Sequence, residues 1–396
     1  MNPSRPSIYV VIVSDHGLPN FSAITSQPTP PERVLLIASQ QFSSAALRFE
    51  QQLNAQNPNI NVDRLDKTNL SGESMREMLN WIESEFMHYY QQYGHYRWLL
   101  NVTGGTKIMP MALETAIAWH EIHYKSFKVN SLQRWRMVNQ RRELLTDLAM
   151  QAVPIKAALS LYTEIDKSRI NRVTKQANAL IVAQQLWDAY ENINHIHHDL
   201  SRLLTRYWVE EREQHQQASI EIPWSSFETK DIDALMVWCK HLAQLSADAM
   251  RASEASLIVP GNKPKKSEHI DFKRWVSGEW LETLVASWLD DANITYEANL
   301  PIKDTKRELD FVTLKAGQLQ VIEVKTAPAG DEALNSIVRQ ITSVTAVGKL
   351  TNYLFVGPEF KSSVNNIDKW LDFEAQCKAN RIKILFSRQE LISALG

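Results

Sequence analysis

Residues 98–109 read WLLNVTGGTKIM, and this stretch decides the fold of the first part of the chain. An apolar strand runs into Asn101 and Val102, a Thr-Gly-Gly-Thr turn follows, and a helix is expected from about Thr106. The two glycines let the backbone approach a ligand closely. The free N–H groups at the helix start favour an anion such as phosphate, and Lys107 adds positive charge. The segment is neither a P-loop nor a GxGxxG fingerprint. A tight turn without a ligand would leave the same pattern, so both interpretations stay open.

The residues before this stretch alternate between strands and helices. Apolar runs at 8–13 and 34–38 and a weaker one at 60–64 are separated by helical spacing at 43–53 and 72–92. This alternation is typical of an α/β fold with a parallel sheet covered on both faces. Ligands bind such sheets beyond the carboxyl ends of the strands. The polar residues at these ends form the predicted ligand-binding set: Ser14, Ser39, Gln40, Asn101, Thr103, Gly104, Gly105, Thr106 and Lys107.

The rest of the chain indicates two further regions. Helical periodicity covers 142–165 and 175–210, and a stretch rich in Pro, Gly and Lys near residue 260 indicates a domain boundary. The predicted domains are a Rossmann-like sensor over 1–130, a mostly helical connecting region over 131–260 that could be winged-helix-like, and a small α/β domain over 261–396.

The clearest chemistry lies in residues 308–325, which read ELDFVTLKAGQLQVIEVK. Two apolar strands meet at a short loop at 316–317, which predicts a β-hairpin. A loop centred there opposes Asp310 to Glu323, whereas a loop of odd length would break this register. Because side chains alternate between faces with a period of two, one face carries Glu308, Asp310, Glu323 and Lys325.

Facing carboxylates repel each other unless a cation joins them. Mg²⁺ or Mn²⁺ binds oxygen ligands and can polarise a phosphoryl oxygen, and Lys325 could orient a water molecule or stabilise charge on phosphorus. The upstream helix, 277–290, adds Glu279 and Glu282, of which we favour Glu282. The predicted metal ligands are therefore Asp310, Glu323 and Glu282, and Lys325 completes the catalytic set. An exposed hairpin with cross-strand ion pairs is the alternative, and the apolar strands argue against it.

This pattern resembles the motif set of the PD-(D/E)xK, or restriction-endonuclease-like, nucleases. Glu282 matches the helix glutamate, Asp310 the aspartate, and Glu323-Val324-Lys325 the (D/E)xK strand. Gln340 matches a glutamine that often supports such sites. The proline of the Pro-Asp pair is absent from this sequence, because Leu309 precedes Asp310. The resemblance implies a restriction-endonuclease-like α/β domain and a metal-dependent phosphodiester hydrolase.

The string from Asn101 to Met109 resembles the signature of CRISPR-associated Rossmann fold (CARF) domains. Together, the two ends of the chain resemble the CARF–PD-(D/E)xK effectors of type III CRISPR systems. This implies an allosteric homodimer in antiviral defence, activated by a cyclic oligoadenylate, with cyclic tetra-adenylate expected, that cleaves DNA, RNA or both. The loop at 14–19 and Asn20 match the family's first ligand loop only loosely.

Composition sets limits on these hypotheses. The chain has 396 residues and a formal net charge of −2, so a nucleic acid would have to bind a local basic patch. Because the chain has two cysteines, no disulfide framework is expected. Such a patch, or merely a solvated linker, is formed by Lys263, Lys265, Lys266, Lys273 and Arg274. Without a signal peptide or a long apolar segment, a cytoplasmic location is expected. Two alternatives stay open: a ligand-controlled, non-catalytic nucleic-acid-binding regulator, and a repair or restriction nuclease without a small-molecule activator.

Overall fold

Three β-sheets organise the chain in a computed structural model. The structure describes residues 5–15, 17–66, 70–126, 130–138, 141–145, 147–166, 168, 173, 177–188, 199–200, 203, 219–228, 232–243, 251–253, 255–260, 275–303, 307–326, 331–345, 350–358, 360–361, 364 and 366–396. The predicted basic patch between residues 263 and 274 lies outside these ranges.

The first sheet has eight strands. They are β1 Ser7–Ile12, β2 Arg33–Ile37, β3 Asn61–Leu65, β4 Arg97–Asn101, β5 Glu121–Ser126, β6 Ser131–Val138, β7 Arg141–Leu144 and β8 Leu148–Ala149. The order is β3-β2-β1-β4-β5-β6-β7, with β8 beside β6. Strands β1 to β5 run parallel, whereas β6 to β8 pair antiparallel. Because β1 lies between β2 and β4, the strand order reverses there, which creates the crevice where ligands of such sheets bind.

Helices cover both faces of this sheet. They are α1 Gly17–Thr25, α2 Ser43–Gln56, α3 Met75–Trp81, α4 Met87–Gln92, α5 Ile108–Ala116 and α6 Ile155–Ser160. A short π-helix at Ile82–Phe86 joins α3 to α4, so the helical spacing predicted over 72–92 is confirmed. The helix expected from about Thr106 begins at Ile108 and ends at Ala116, because Ile117 is extended and the N–H of His120 pairs with the carbonyl of Trp98 ahead of β5.

One predicted element is wrong. Residues 141–144 and 148–149 form strands, although they belong to the helical periodicity over 142–165, and only α6 is helical there. Pairing with β6 decides their conformation: Leu144 lies opposite Trp135, and Leu148 lies opposite Leu132. Such tertiary pairing overrides a local pattern. The first sheet therefore continues past residue 130, where the sequence analysis places the end of the first domain.

The middle of the chain contains a small antiparallel sheet as well as helices. Its elements are α7 Ala177–Asp188, β9 Ser219–Pro223, α8 Ile232–Ala243, β10 Arg251–Ala252 and β11 Ser256–Pro260. The strand order is β10-β11-β9. Helix α7 packs against the first helix of the C-terminal domain, where Trp187 stacks on Phe355 and meets Trp288 edge-on.

The C-terminal domain is a five-stranded mixed sheet with helices. Its elements are α9 Trp280–Asp291, β12 Tyr296–Pro301, β13 Glu308–Lys315, β14 Gln318–Lys325, α10 Asp331–Thr345, β15 Thr351–Val356, α11 Ile367–Ala379, β16 Ile382–Leu385 and α12 Arg388–Leu395. The order is β12-β13-β14-β15-β16, antiparallel from β12 to β14 and parallel from β14 to β16. Helix α9 buries Leu281, Leu284, Val285 and Leu289, as its apolar spacing predicts.

The first and last sheets share one hydrophobic core. Tyr9 and Leu99 of the first sheet belong to the same buried cluster as Val312 and Val321 of the β13–β14 hairpin. Helix α6 lies between them and contacts β12, β13 and β14. Segment 155–166 is further linked to the C-terminal sheet, since Ile165 and Ile302 form an isolated antiparallel β-bridge. The hairpin is therefore a component of the N-terminal domain's core as well as of its own domain.

Both cysteines are buried and unbonded. Within the described parts of the chain, we find no helix whose length and apolar content would let it cross a membrane.

Candidate metal site and ligand crevice

The β13–β14 hairpin has the predicted register. Phe311 lies opposite Ile322 and Lys315 opposite Gln318, and Ala316 and Gly317 form the two-residue turn. Both turn residues have positive φ, 50° and 73°, which is the conformation of a type I′ hairpin turn, even though alanine pays a steric cost there. The ladder ends at Phe311, so the acidic residues lie one step beyond the last paired position.

Asp310 and Glu323 lie where the two strands separate. An oxygen of Asp310 accepts a hydrogen bond from the backbone N–H of Val324 at 2.7 Å, and both carboxyls are buried. Lys325 is close to both, with its Nζ 2.5 Å from Oε1 of Glu323 and 3.7 Å from Oδ2 of Asp310. The structure therefore brings three of the four predicted catalytic residues together at the open end of the hairpin.

Burial sets the electrostatics of this group. Burial and the negative charge of Asp310 raise the pKa of Glu323 to about 8, and burial also raises the pKa of Asp310. Burial alone would lower the pKa of Lys325, but the charges of Asp310 and Glu323 outweigh it and raise that pKa above its usual value. Lys325 therefore stays protonated, and both carboxyls interact with its single ammonium group.

Glu282 enters from α9. Burial, followed by the charges of Asp310 and Glu279, raises the pKa of Glu282 to about 8, and Lys325 opposes this effect. Glu282 is in the first turn of α9, whereas Glu279 precedes the helix as its N-cap residue. The charge of the hairpin carboxylate Asp310 thus acts on Glu282, the glutamate that the sequence favours as a ligand.

Gln340 joins the site from α10. Its Nε2 donates a hydrogen bond of 2.6 Å to Oε1 of Glu323, the same oxygen that receives Lys325. This contact fixes both the direction of the glutamate and the docking of α10 on the sheet. The position of Gln340 agrees with its predicted supporting role.

The donor set fits a hard divalent ion. Ionised Glu282, Asp310 and Glu323 with the Lys325 ammonium carry a net charge of −2, which one divalent ion would neutralise, and the donors are carboxylate oxygens. Among the described residues, no group of three or more His, Cys, Asp or Glu side chains is already arranged to hold a metal ion. The ammonium of Lys325 lies close to the oxygens of Glu323 and Asp310 that a metal would use.

The glycine turn lies beyond β4, against the end of β1. A Cβ on Gly104 would lie 2.2 Å from the Ile12 carbonyl oxygen and 2.7 Å from Nδ2 of Asn20. Gly105 has φ of 84°, and a Cβ there would lie 2.4 Å from Cγ2 of Ile12. Both positions therefore require glycine, because backbone and side chains of the neighbouring strand fill the space.

Side chains hold this turn in place. Oδ1 of Asn101 accepts a hydrogen bond from the N–H of Thr103, and the Thr103 hydroxyl accepts one from the N–H of Lys125 in β5. Thr106 donates to the carbonyl of Gly72. Three of the predicted ligand-binding residues thus also stabilise the turn, and Lys107 is exposed beside it.

The other predicted residues follow the ends of β1 and β2. Ser14 and Ser39 are buried at these ends and Gln40 is exposed, so they lie at the crevice edge that the strand order predicts. Asn20 of α1 is a residue that the sequence analysis matched only loosely. It is fully buried, and its Nδ2 donates to the Ile12 carbonyl against which Gly104 packs.

A buried polar chain supports the strands under the turn. Nε2–H of neutral His123 donates to the carboxylate of Glu121, and Nδ1 accepts from the Tyr9 hydroxyl. Burial lowers the pKa of His123, whereas the hydrogen bond from His123 lowers the pKa of Glu121. The His123 carbonyl in turn accepts from the N–H of Val102, next to the turn. Sequence reasoning missed this chain, because Tyr9 is 114 residues away from His123 in sequence.

Comparison with known proteins agrees with this architecture. Residues 8–151 match the family described as the Card1 CARF domain. The fold of the chain is similar to that of Can2 from Sulfobacillus thermosulfidooxidans, solved in complex with cyclic tetra-adenylate, with 19% identity, a TM-score of 0.62 and 98% of each chain covered. It is also similar to protein VC1899 from Vibrio cholerae, with 15% identity, a TM-score of 0.66, and 98% of this chain and 95% of that one covered. The sequence matches none of the curated proteins. The predicted fold class, with an N-terminal Rossmann-like CARF domain, is confirmed.

Proposed function

We propose that the chain is a divalent-metal-dependent nuclease that cleaves DNA, RNA or both, and that a cyclic oligoadenylate bound at the N-terminal crevice activates it. The observation that carries the proposal is the group formed by Asp310, Glu323 and Lys325 where the hairpin strands separate. A protein that only binds nucleic acid has no need for buried carboxyls with raised pKa values around one lysine.

Each residue of the group has a chemical role in this proposal. Asp310, held by the N–H of Val324, and Glu323, held by Gln340, present oxygens in fixed directions. Glu282 supplies a third carboxylate. When bound to them, Mg²⁺ or Mn²⁺ would supply Lewis-acid polarisation of the phosphodiester and lower the pKa of a water molecule. Lys325 remains charged and can stabilise negative charge that develops on the phosphate oxygens.

We propose that the activator binds in the crevice between β1 and β4. The match of residues 8–151 to the Card1 CARF domain, and the cyclic tetra-adenylate bound to Can2, favour the same ligand class for this chain. A cyclic oligoadenylate with two-fold symmetry suits two copies of this crevice meeting in an isologous homodimer. In this proposal, the protein acts as a ligand-activated effector in type III CRISPR antiviral defence.

The decisive experiment measures cleavage of supercoiled plasmid and of single-stranded RNA. Each substrate is incubated with Mn²⁺, with Mg²⁺ or with EDTA, in the presence and absence of cyclic tetra-adenylate. We expect cleavage only with metal and ligand together, and loss of cleavage in Glu323→Gln. Asp372→Asn, an exposed carboxylate on α11, is the matched control and should behave as the wild type.

The same experiment separates the alternatives. Ligand binding and nucleic-acid binding without cleavage of either substrate would overturn the nuclease proposal and favour a ligand-controlled binding protein. Metal-dependent cleavage that is independent of ligand, in a protein that binds no cyclic tetra-adenylate, would instead indicate a nuclease without small-molecule control.

A further inference from the structure

A cleft opens beside Asp310, between the start of β13 and α10. It encloses about 500 Å³ and is lined by Arg307, Glu308, Asp310, Ser336, Arg339 and Gln340. This volume is within the range of small-molecule and cofactor sites, roughly 300–1,000 Å³. The cleft is therefore large enough for part of a nucleic-acid strand, and one wall of it is a residue of the carboxylate group.

Helix α10 points its polar side into this cleft. Ser336, Arg339 and Gln340 are spaced i, i+3 and i+4, which places them on one side of the helix. The opposite side, with Ile337 and Ile341, is buried in a core with α11 and β15. Because Gln340 is hydrogen-bonded to Glu323, the helix cannot rotate without breaking that contact, and Arg339 is held beside the site.

The other arginine comes from the sheet. The carbonyl of Arg307 accepts a hydrogen bond from the N–H of Ile302 in the neighbouring strand segment, which anchors the backbone three residues before Asp310. Arg307 and Arg339 are both solvent-exposed at the cleft. Two guanidinium groups that are far apart in sequence thus line the same opening to the carboxylates.

The charges of this cleft select a type of ligand. The carboxylates by themselves repel a polyanion, so a nucleic acid needs compensating cations on its path to them. Guanidinium groups bind phosphate oxygens through two parallel hydrogen bonds and are always charged. A neutral or cationic substrate would have no use for two arginines at this opening.

We propose that Arg307 and Arg339 bind the phosphates that flank the scissile phosphodiester and so guide a nucleic-acid strand into the carboxylate group. This assignment rests on the proposed nuclease function and adds the residues that bind its substrate. Both arginines contact the backbone of the strand and not its bases, so their contribution is independent of sequence.

The test is a binding measurement that needs no cleavage. Short fluorescent single-stranded DNA and RNA oligonucleotides are titrated with the full chain carrying Glu323→Gln, with cyclic tetra-adenylate and Ca²⁺, over a series of KCl concentrations. The slope of log affinity against log salt reports the number of phosphates neutralised. On this background we compare Arg307→Ala, Arg339→Ala, Arg339→Lys and the control Lys378→Ala, an exposed lysine on α11.

Each arginine-to-alanine change should reduce the slope by about 0.7 for a single strand, the value for one lost phosphate contact. Arg339→Lys should keep the slope and lose only part of the affinity, because charge remains but the paired hydrogen bonds do not. Lys378→Ala should leave both unchanged. Equal slopes in both arginine variants and in the control, or no oligonucleotide binding at all, would overturn the proposal.

The outcome is separable from the nuclease proposal. If the wild type cleaves but the slopes do not change, the arginine assignment alone fails. If the slopes change but the wild type cleaves neither plasmid nor RNA, the cleft binds nucleic acid without hydrolysing it, and only the nuclease proposal fails.

Discussion

The ammonium of Lys325 lies 2.5 Å from Oε1 of Glu323, two residues earlier on the same strand. Side chains at i and i+2 of a strand share a face, so this ion pair follows directly from the Glu-x-Lys spacing. Gln340 donates to the same oxygen, and Asp310 lies within 3.7 Å of the ammonium. A metal ion at the proposed site would therefore compete with Lys325 for the same carboxylates.

That competition predicts opposite effects of one substitution on binding and on chemistry. Lys325→Met should abolish cleavage, yet strengthen Mn²⁺ binding by about tenfold or more, since a close positive charge costs at least about 1.4 kcal/mol. Titration calorimetry with Mn²⁺ measures this affinity, with Lys378→Met as the control. An unchanged affinity would mean that the ammonium does not obstruct the metal.

The raised pKa values predict a pH-dependent stability of the metal-free protein. Glu282 and Glu323 titrate at about 8 in the folded chain and near their ordinary values when unfolded, so the folded state holds more protons between these limits. Stability should therefore fall as pH rises from about 5 to about 8 and level off above that. Urea unfolding in EDTA tests this. Glu323→Gln should reduce the dependence of stability on pH. An unchanged dependence would contradict a raised pKa for Glu323.

Gln340 is expected to act as a positioning residue. Gln340→Ala removes the hydrogen bond of 2.6 Å to Glu323 and should weaken both metal binding and cleavage by about 10- to 100-fold. Asn335→Ala, an exposed change on the same helix, is the matched control. If cleavage falls while Mn²⁺ affinity stays at the wild-type value, Gln340 does not act through the metal ligands.

A side chain added to the glycine turn is expected to weaken ligand binding for steric reasons. A Cβ at Gly104 would lie 2.2 Å from a backbone oxygen, so Gly104→Ala must displace the turn from β1 and should weaken binding of cyclic tetra-adenylate by at least about tenfold, or about 1.4 kcal/mol. Gly94→Ala, whose Cβ meets nothing closer than 3.6 Å, is the control. Calorimetry measures the affinity, and equal affinities in the two variants would argue against a ligand at this turn.

A substitution in the hairpin turn is expected to separate ligand binding from the activation of cleavage. A Cβ at Gly317 would lie 2.6 Å from Nζ of Lys125, and φ is 73°, so Gly317→Ala should strain the turn and disturb its contact with Lys125 of the N-terminal domain. The face with Val312 and Val321 packs on that domain, and Asp310 and Glu323 follow on the same face. We expect ligand affinity to persist and the activation of cleavage by ligand to fall. Equal activation in Gly317→Ala and Gly94→Ala would show that the tip does not couple the sites.

Sequence reasoning was most successful where a pattern is local. The hairpin register followed from period-two alternation and an even loop, and it brought Asp310 and Glu323 together. It failed for β7 and β8, whose apolar residues fit a helix equally well and become strands only by pairing with β6. The cleft arginines were missed for a related reason: only the docking of α10 on the sheet brings Arg339 to Arg307.

The core shared by the first and last sheets also bears on how the chain folds. Its members extend from Tyr9 to Val321, so the contacts that complete it are among the most distant in sequence. Such non-local pairing slows folding and leaves apolar surface exposed until late. During synthesis, the first domain would emerge from the ribosome with the surface for β12 to β14 still bare. A fragment that ends before the hairpin would therefore be prone to aggregate, and Asp310 and Glu323 would come together only after most of the polypeptide had been made.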